Sequence, residues 1–267
     1  MVTEAQDFKQ ESLALYDLLK DLSDAELDQP TQFKNWTLNN VLEHLHVWNW
    51  AANESYVDEV NFEKFVANAM AQTGGLRQFE KHWLDEQYSG LAGRALLQTW
   101  HDFLVDMAAR FKEVDPKKRL KWAGPDMSAR SSISARLMET WAHGQEIYDH
   151  LGVVRQNGDH IRAICVLGVN TFGWTYITRQ ETPPATMPFV ELTAPSGAIW
   201  EFGEMSDSER VVGAAEEFCQ VVTQVRNIAD TDLKLTGAVA TDWMSKAQCF
   251  AGAPETPPAP GTRFTRP

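Results

Sequence analysis

The sequence predicts a mainly α-helical protein: an N-terminal antiparallel four-helix bundle over residues 1–155, then a small α+β domain over 156–267. Three observations carry this reading. Four long segments before Gly152 repeat large apolar residues at helical spacing. The connections between them are polar or carry Pro and Gly, as expected for a bundle. After Gly152 the pattern changes to short strand-like runs around the turn Pro195-Ser196-Gly197.

The first helix is expected over 5–27, with Phe8, Leu15, Leu19 and Leu22 on one face. Pro30 and the run QPTQFKNW then form a connection. Thr37 is a plausible N-cap for the second helix. Its stripe is Leu38, Val41, Leu42, Leu45 and Trp48, with His44 and His46 on opposite edges. Each histidine lies about 100° from the stripe centre, so periodicity does not choose between them. Residues 57–89 read as helix interrupted at Gly74-Gly75, with His82 exposed. A third long helix is expected over 91–114, its face made by Leu96, Leu97, Trp100, Phe103, Leu104 and Met107. The connection 115–128 leads to the fourth helix. Beyond Gly152, one helix is expected over 159–179, strands over 189–194 and 198–204, and a helix over 207–227. A short strand at 233–237 and a helix at 239–250 follow, and the Pro-rich tail is expected to be irregular and on the surface.

Composition narrows the function. The chain has 267 residues, 43% of them hydrophobic and ten of them Trp, so it can bury a large core. A net charge of −13 disfavours nucleic acid or an anionic membrane as partner. Cys165, Cys219 and Cys249 show no zinc-finger or CxxC spacing and read as buried, inert thiols. The polar, acidic start MVTEAQDFKQ does not read as a signal peptide, and no run approaches the ~18 apolar residues of a membrane span. A cytoplasmic monomer or homodimer is expected. No GxGxxG, Walker A, GxSxG or HExxH motif occurs, so nucleotide-dependent, serine-hydrolase and thermolysin-type chemistry lack support.

The stretch Ser131–Leu151 carries the chemistry. Beside its apolar stripe runs a second one: Glu139, His143, Glu146 and His150. Glu139 and His143 stand one turn apart, so a carboxylate and an imidazole could reach one divalent ion. An exposed helix face would show the same pattern.

Two runs carry a resemblance that goes beyond the pattern. WTLNNVLEHL (36–45) resembles the second-helix signature of DinB-like metal-binding bundles, in which a Trp precedes a ligand His by eight residues. WAGPDMSARSSISARLMETWAHGQEIYDHLG (122–152), with its core ARLMETWAHG, resembles the corresponding run of mycothiol-dependent maleylpyruvate isomerases. APSGAIWEF (194–202) and FAG (250–252) are similar to the C-terminal part of relatives labelled wyosine base formation proteins.

The resemblance implies a metal triad of His44, Glu139 and His143, which settles the choice against His46. It matches no ligand position to Glu146 or His150; both are expected to be exposed, with a place behind the ligands as the alternative. It implies that Arg226, at a helix end, anchors a substrate anion; a surface arginine neutralising that helix end is the alternative. Arg136, three residues before Glu139, could orient its carboxylate, with an ordinary surface ion pair as the alternative. Two imidazoles and one carboxylate leave open coordination positions, as in catalytic sites. Zinc is the first expectation, with nickel or iron accepted by the same ligands. In the isomerases, the metal holds a low-molecular-weight thiol as thiolate; the thiolate adds to an activated double bond, rotation follows and the thiol leaves. The resemblance thus implies a metal-dependent, thiol-using isomerase or transferase acting on a small molecule. A metal-dependent hydrolase on the same site and a non-enzymatic, metal-stabilised binding or stress protein are the alternatives.

Overall fold

The structure, a computed structural model, describes residues 2–267. It is mainly α, with a small sheet region in its C-terminal part. Two compact units divide inside one helix, the first running to Ile147 and the second starting at Tyr148.

The first unit holds α1 (Glu4–Leu19), α2 (Asp24–Leu27), α3 (Leu38–Val57), α4 (Glu59–Ala71), α5 (Leu76–Tyr88), α6 (Gly93–Glu113) and most of α7 (Ala129–Leu151). The expected first helix stops early because Ser23 opens α2 with a capping box closed by Glu26. Thr37 caps α3 as expected, with Asn40 reciprocating. The connection before α7 pairs β1 (Arg119–Leu120) with β2 (Met127–Ser128), a short hairpin that periodicity does not show.

Long α1 and α6 run antiparallel: Val2 N–H donates to Lys112 O at 3.0 Å, and Tyr16 meets Gln98. So do α3 and α7, where Asn49 meets Arg136 and His44 meets Glu139. In contrast α3 and α6 run the same way, pairing Asn39 with Gly93 and His46 with Phe103. The α4–α5 excursion makes this possible by carrying the chain back between them.

Helix α3 lies at the centre, and fourteen of its twenty residues are buried. Its polar residues Glu43, His44, His46, Asn49 and Asn53 are therefore buried along with Leu38, Val41, Leu42 and Leu45. An edge-of-stripe histidine on such a helix has no solvent face to turn to. His46 packs edge-on against Tyr88 and Phe103, at 5.3 and 5.5 Å between ring centroids. Neither of its ring nitrogens has a hydrogen-bond partner among the described residues.

The second unit begins in the last turn of α7. The single helix expected over 159–179 is instead a 3₁₀ turn followed by α8 (Arg162–Asn170) and α9 (Phe172–Ile177). Strands β3 (Phe189–Thr193), β4 (Ile199–Phe202), β5 (Arg210–Ala214) and β6 (Lys234–Thr236) form one mixed sheet in the order β4-β3-β5-β6. β3 pairs antiparallel with β4 and parallel with β5. Gly197, at φ +85°, makes the β3–β4 turn, and its N–H donates to Ala194 O. The helix expected over 207–227 is corrected by the structure. Residues 210–214 form β5, and α10 (Ala215–Val222) starts only after it. Val211 and Val212 are β-branched and pair with both β3 and β6, so sheet pairing overrides the helical spacing.

Gly168 of α8 lies against Val222 and Phe218 of α10, where a Cβ would come within about 3 Å of both. The three cysteines are buried, with Cys165 and Cys219 Sγ 3.5 Å apart, and burial pushes the Cys219 thiol well up. This is the environment of an inert thiol. The last helix is α11 (Ala238–Lys246).

The tail has no regular structure, as expected, but it is tied down. Gly261 N–H donates to Asp230, Asn227 Nδ2 to Pro258 O, and Arg266 N–H to Asp149 O. Arg226 donates both terminal nitrogens to Asp149 at 2.7 Å, and Thr265 Oγ1 adds a third donor at 3.0 Å. The Arg226 and Asp149 side chains are 9% and 1% exposed.

Two predictions follow from buried charge. Asp149→Ala strands the Arg226 guanidinium and should cost about 3–5 kcal/mol in urea unfolding of the full chain, whereas Asp149→Leu with Arg226→Met should cost much less. Burial lowers His46 to about 4. Between its ordinary value near 6.5 and 4, the unfolded chain takes up a proton that the fold refuses. This contribution is thus complete above pH 6.5 and fades as pH falls toward 4. His46→Phe should flatten the pH–stability curve in that window.

Candidate metal centre

Helices α3 and α7 bring His44, Glu139 and His143 together. One potential ligand atom from each lies within 4.8 Å of the others. Nε2 of His44 and Nε2 of His143 each stand 3.4 Å from Glu139 Oε2. The two imidazole centroids are 4.7 Å apart and tilted by 62°. Their positions follow from packing. Ile133, Leu137 and Trp141 bury one stripe of α7, leaving Glu139 and His143 to share the next. On α3, the nearly complete burial described above keeps His44 inside.

His44 is oriented by a residue that the sequence pattern did not single out. Its Nδ1 is 2.6 Å from Glu80 Oε1 on α5. Trp48 Nε1 donates to the same oxygen at 2.9 Å, and Arg77 Nη1 donates to Glu80 Oε2 at 2.5 Å. Arg77 also pairs with Glu43, which accepts from Asn39 and Asn40. Glu80 is fully buried, on a helix whose run LRQFEKHWLDEQY looks like an ordinary charged surface helix. Only the helical pairing of Phe79 and Trp83 marks the adjoining face as inward.

The wall beside His143 comes from the loop before α3. Thr31 N–H donates to Trp36 O at 2.7 Å, closing the loop, while Lys34 and Asn35 take φ of 50° and 57°. This left-handed pair is uncommon for residues other than glycine. It presents Phe33 edge-on to His143 and stacks Trp36 on it at 5.5 Å with 5° between planes. The Arg77 guanidinium covers Trp36 at 4.8 Å.

Electrostatics favour a cation here. Three carboxylates (Glu43, Glu80, Glu139) face two guanidiniums (Arg77, Arg136), an excess of one negative charge with both imidazoles neutral, which a proton on His44 offsets in the metal-free protein. Burial alone would lower His44, but Glu80 and Glu139 outweigh it and hold it raised to about 9. Burial would raise Glu139, yet the two histidines hold it well below the usual carboxylate range. His143 is lowered by burial and by the neighbouring His44. Two imidazole nitrogens and a carboxylate are the donor set of a divalent transition metal, so the residues fit the group. Glu139 and His143 keep 21% and 13% of their side-chain surface exposed, against 9% for His44. Access to the cluster is therefore from the α7 side.

The other expected residues fall as follows. Arg136 is buried and donates Nε to Asn49 Oδ1 at 3.0 Å; burial lowers its pKa to about 10, and Glu139 and Glu80 act in the opposite direction. It acts on Glu139 through its field and not through a direct hydrogen bond. Arg226 is buried, not the surface arginine of the alternative reading, and its fork is committed to Asp149. Glu146, expected to be exposed, is buried at 1% exposure.

Fold and site together define a helical-bundle protein with a three-residue cluster of metal-ligating type. The family model of the mycothiol maleylpyruvate isomerase N-terminal domain matches residues 8–148. Uncharacterized proteins from the CDC 1551 and H37Rv strains of Mycobacterium tuberculosis are each 36% identical over 251 residues, covering 93% of this chain and 95% of theirs. The crystal structure of the mycothiol-dependent maleylpyruvate isomerase is similar with a TM-score of 0.52 at 13% identity, and that of a histidine-to-alanine mutant with 0.51 at 15%. Each alignment covers 82% of this chain and 86% of the other, and at such identity the likeness concerns the fold. This chain belongs to the mycothiol maleylpyruvate isomerase N-terminal domain family.

The geometry separates the two α3 histidines. In the purified full chain, His44→Asn should remove bound divalent metal, as read by elemental analysis, while His46→Asn should retain it.

Proposed function

We propose that this protein is a metal-dependent enzyme that uses a low-molecular-weight thiol to transform a small molecule, by isomerisation or transfer. The observation that carries the proposal is the His44–Glu139–His143 cluster, open on one side, in a chain of this family. His44, Glu139 and His143 would hold the ion, zinc before nickel or iron. When bound, a divalent ion lowers the pKa of a thiol or water beside it, or polarises a carbonyl.

The chain's own residues supply the rest. Three protein ligands leave room for an exchangeable one, and the exposed edges of Glu139 and His143 give it access. With a divalent ion, the local excess of one negative charge becomes an excess of one positive charge, which favours an anionic sulfur or carboxylate. Phe33, Trp36 and Trp48 line the histidines with aromatic surface, which orients an apolar stem and limits water. Mycothiol is the thiol that the structural relatives use by name, and it is the first candidate here. Use of a cellular thiol would fit the cytoplasm, which is the compartment proposed here. Among the described residues no helix is long and apolar enough to cross a membrane.

The hydrolase alternative shares the ligands, so a thiol titration separates the two. The cobalt-substituted protein should gain a sulfur-to-metal charge-transfer band when a low-molecular-weight thiol is added, and His143→Ala should lose it. A cobalt spectrum indifferent to thiols would turn the reading toward metal-dependent hydrolysis.

A further inference from the structure

We infer that Glu80 is a positioning residue, braced by Arg77, that fixes which nitrogen of His44 is presented to the cluster. The inference rests on the metal reading above and extends it to a helix that contributes no ligand.

A neutral histidine has one N–H and one lone pair, and only the lone pair can hold a metal. Nε2 faces Glu139 at 3.4 Å, so ligation requires the proton on Nδ1. Glu80 Oε1, at 2.6 Å from Nδ1, is the acceptor that keeps it there. The acceptor is itself immobile. Its first oxygen also takes the Trp48 indole N–H, and its second takes Arg77. Arg77 is fixed in turn by Asn40 O at 3.3 Å and by Glu43.

The same arginine reaches the second imidazole by another route. It lies over Trp36, and Trp36 is stacked on His143. One turn of α5, with Arg77 and Glu80 three residues apart, therefore braces both histidines from outside the ligand set.

A purely structural role explains the charge poorly. A buried carboxylate carries a desolvation cost of several kcal/mol. A glutamine would accept the same Nδ1–H bond at lower cost, but its amide could also be turned to donate to Nδ1, permitting the wrong tautomer. A carboxylate has no proton to donate, so it enforces one tautomer and makes Nε2 a stronger donor to a cation.

The test uses the full chain, stripped with a chelator and titrated with zinc against a chromophoric competitor. Wild type should bind one equivalent. Glu80→Gln should bind about 10- to 100-fold more weakly, with the melting temperature of the metal-free protein little changed. A structural residue would give the reverse: a lower metal-free melting temperature and unchanged affinity. Nitrogen-15 NMR of zinc-loaded wild type, which needs no variant to fold, should show His44 protonated at Nδ1 and ligated through Nε2. Ligation through Nδ1, or an affinity for Glu80→Gln within twofold of wild type, would overturn the inference while leaving the metal reading intact. If wild type itself bound no zinc, both would fall.

Discussion

Two imidazoles converge on one half-buried carboxylate, and the rest of the site is arranged around that meeting. Glu139 stands 3.4 Å from Nε2 of both His44 and His143, and each of these groups has left most of its water behind. The antiparallel packing of α3 on α7 creates this convergence. It sets one turn of α7 opposite one histidine of α3, and the rest of the first unit serves to keep that register. Burying charge so densely is costly unless opposite charge is present. Arg77 and Arg136 supply part of it, a proton on His44 balances the rest in the metal-free protein, and a divalent ion would replace that proton.

The surrounding architecture explains why the register is stable. α3 runs through the middle of its unit, so most of its polar residues are paired with protein groups, His46 excepted: Asn39 with Glu43 and with Gly93 N–H, Asn49 with Arg136, and His44 with Glu80. The α4–α5 excursion lets α3 and α6 run parallel, and it also delivers Arg77 and Glu80 to the site. The strained loop before α3 adds Trp36 and Phe33. In the second unit, a mixed sheet with α8 and α10 packed close at Gly168 forms a separate core. There Asp149 gathers Arg226, Thr265 and the Arg266 backbone, so the tail is held by buried polar contacts and not by regular structure.

Much of this was legible in the sequence. Helical spacing marked α3, α6 and α7, the Thr37 cap marked where α3 begins, and the Pro195-Ser196-Gly197 turn marked β3 and β4. The four-residue spacing of Glu139 and His143 placed both on one face, where the structure has them. Periodicity could not separate His44 from His46, because a helix buried on nearly all sides offers no polar face as reference; family resemblance made that choice. Glu80 was hidden because its helix carries charge on most turns, and its partner lies 36 residues away. The β5 strand was hidden because Val211 and Val212 owe their conformation to β3 and β6, which are distant in sequence. Arg226 was read at the end of a helix, but α10 stops at Val222 and the arginine lies beyond it; nothing local announced that Asp149, 77 residues earlier, would occupy its fork.

We propose that three protein side chains hold one divalent ion and leave a position that a thiol can take. X-ray absorption spectroscopy of the zinc-loaded full chain, with and without a low-molecular-weight thiol, tests it most directly. The account predicts nitrogen and oxygen scatterers alone at about 2.0–2.2 Å without thiol, and one added sulfur at about 2.3 Å with it. A zinc shell already closed by four protein ligands and unchanged by thiol would contradict it.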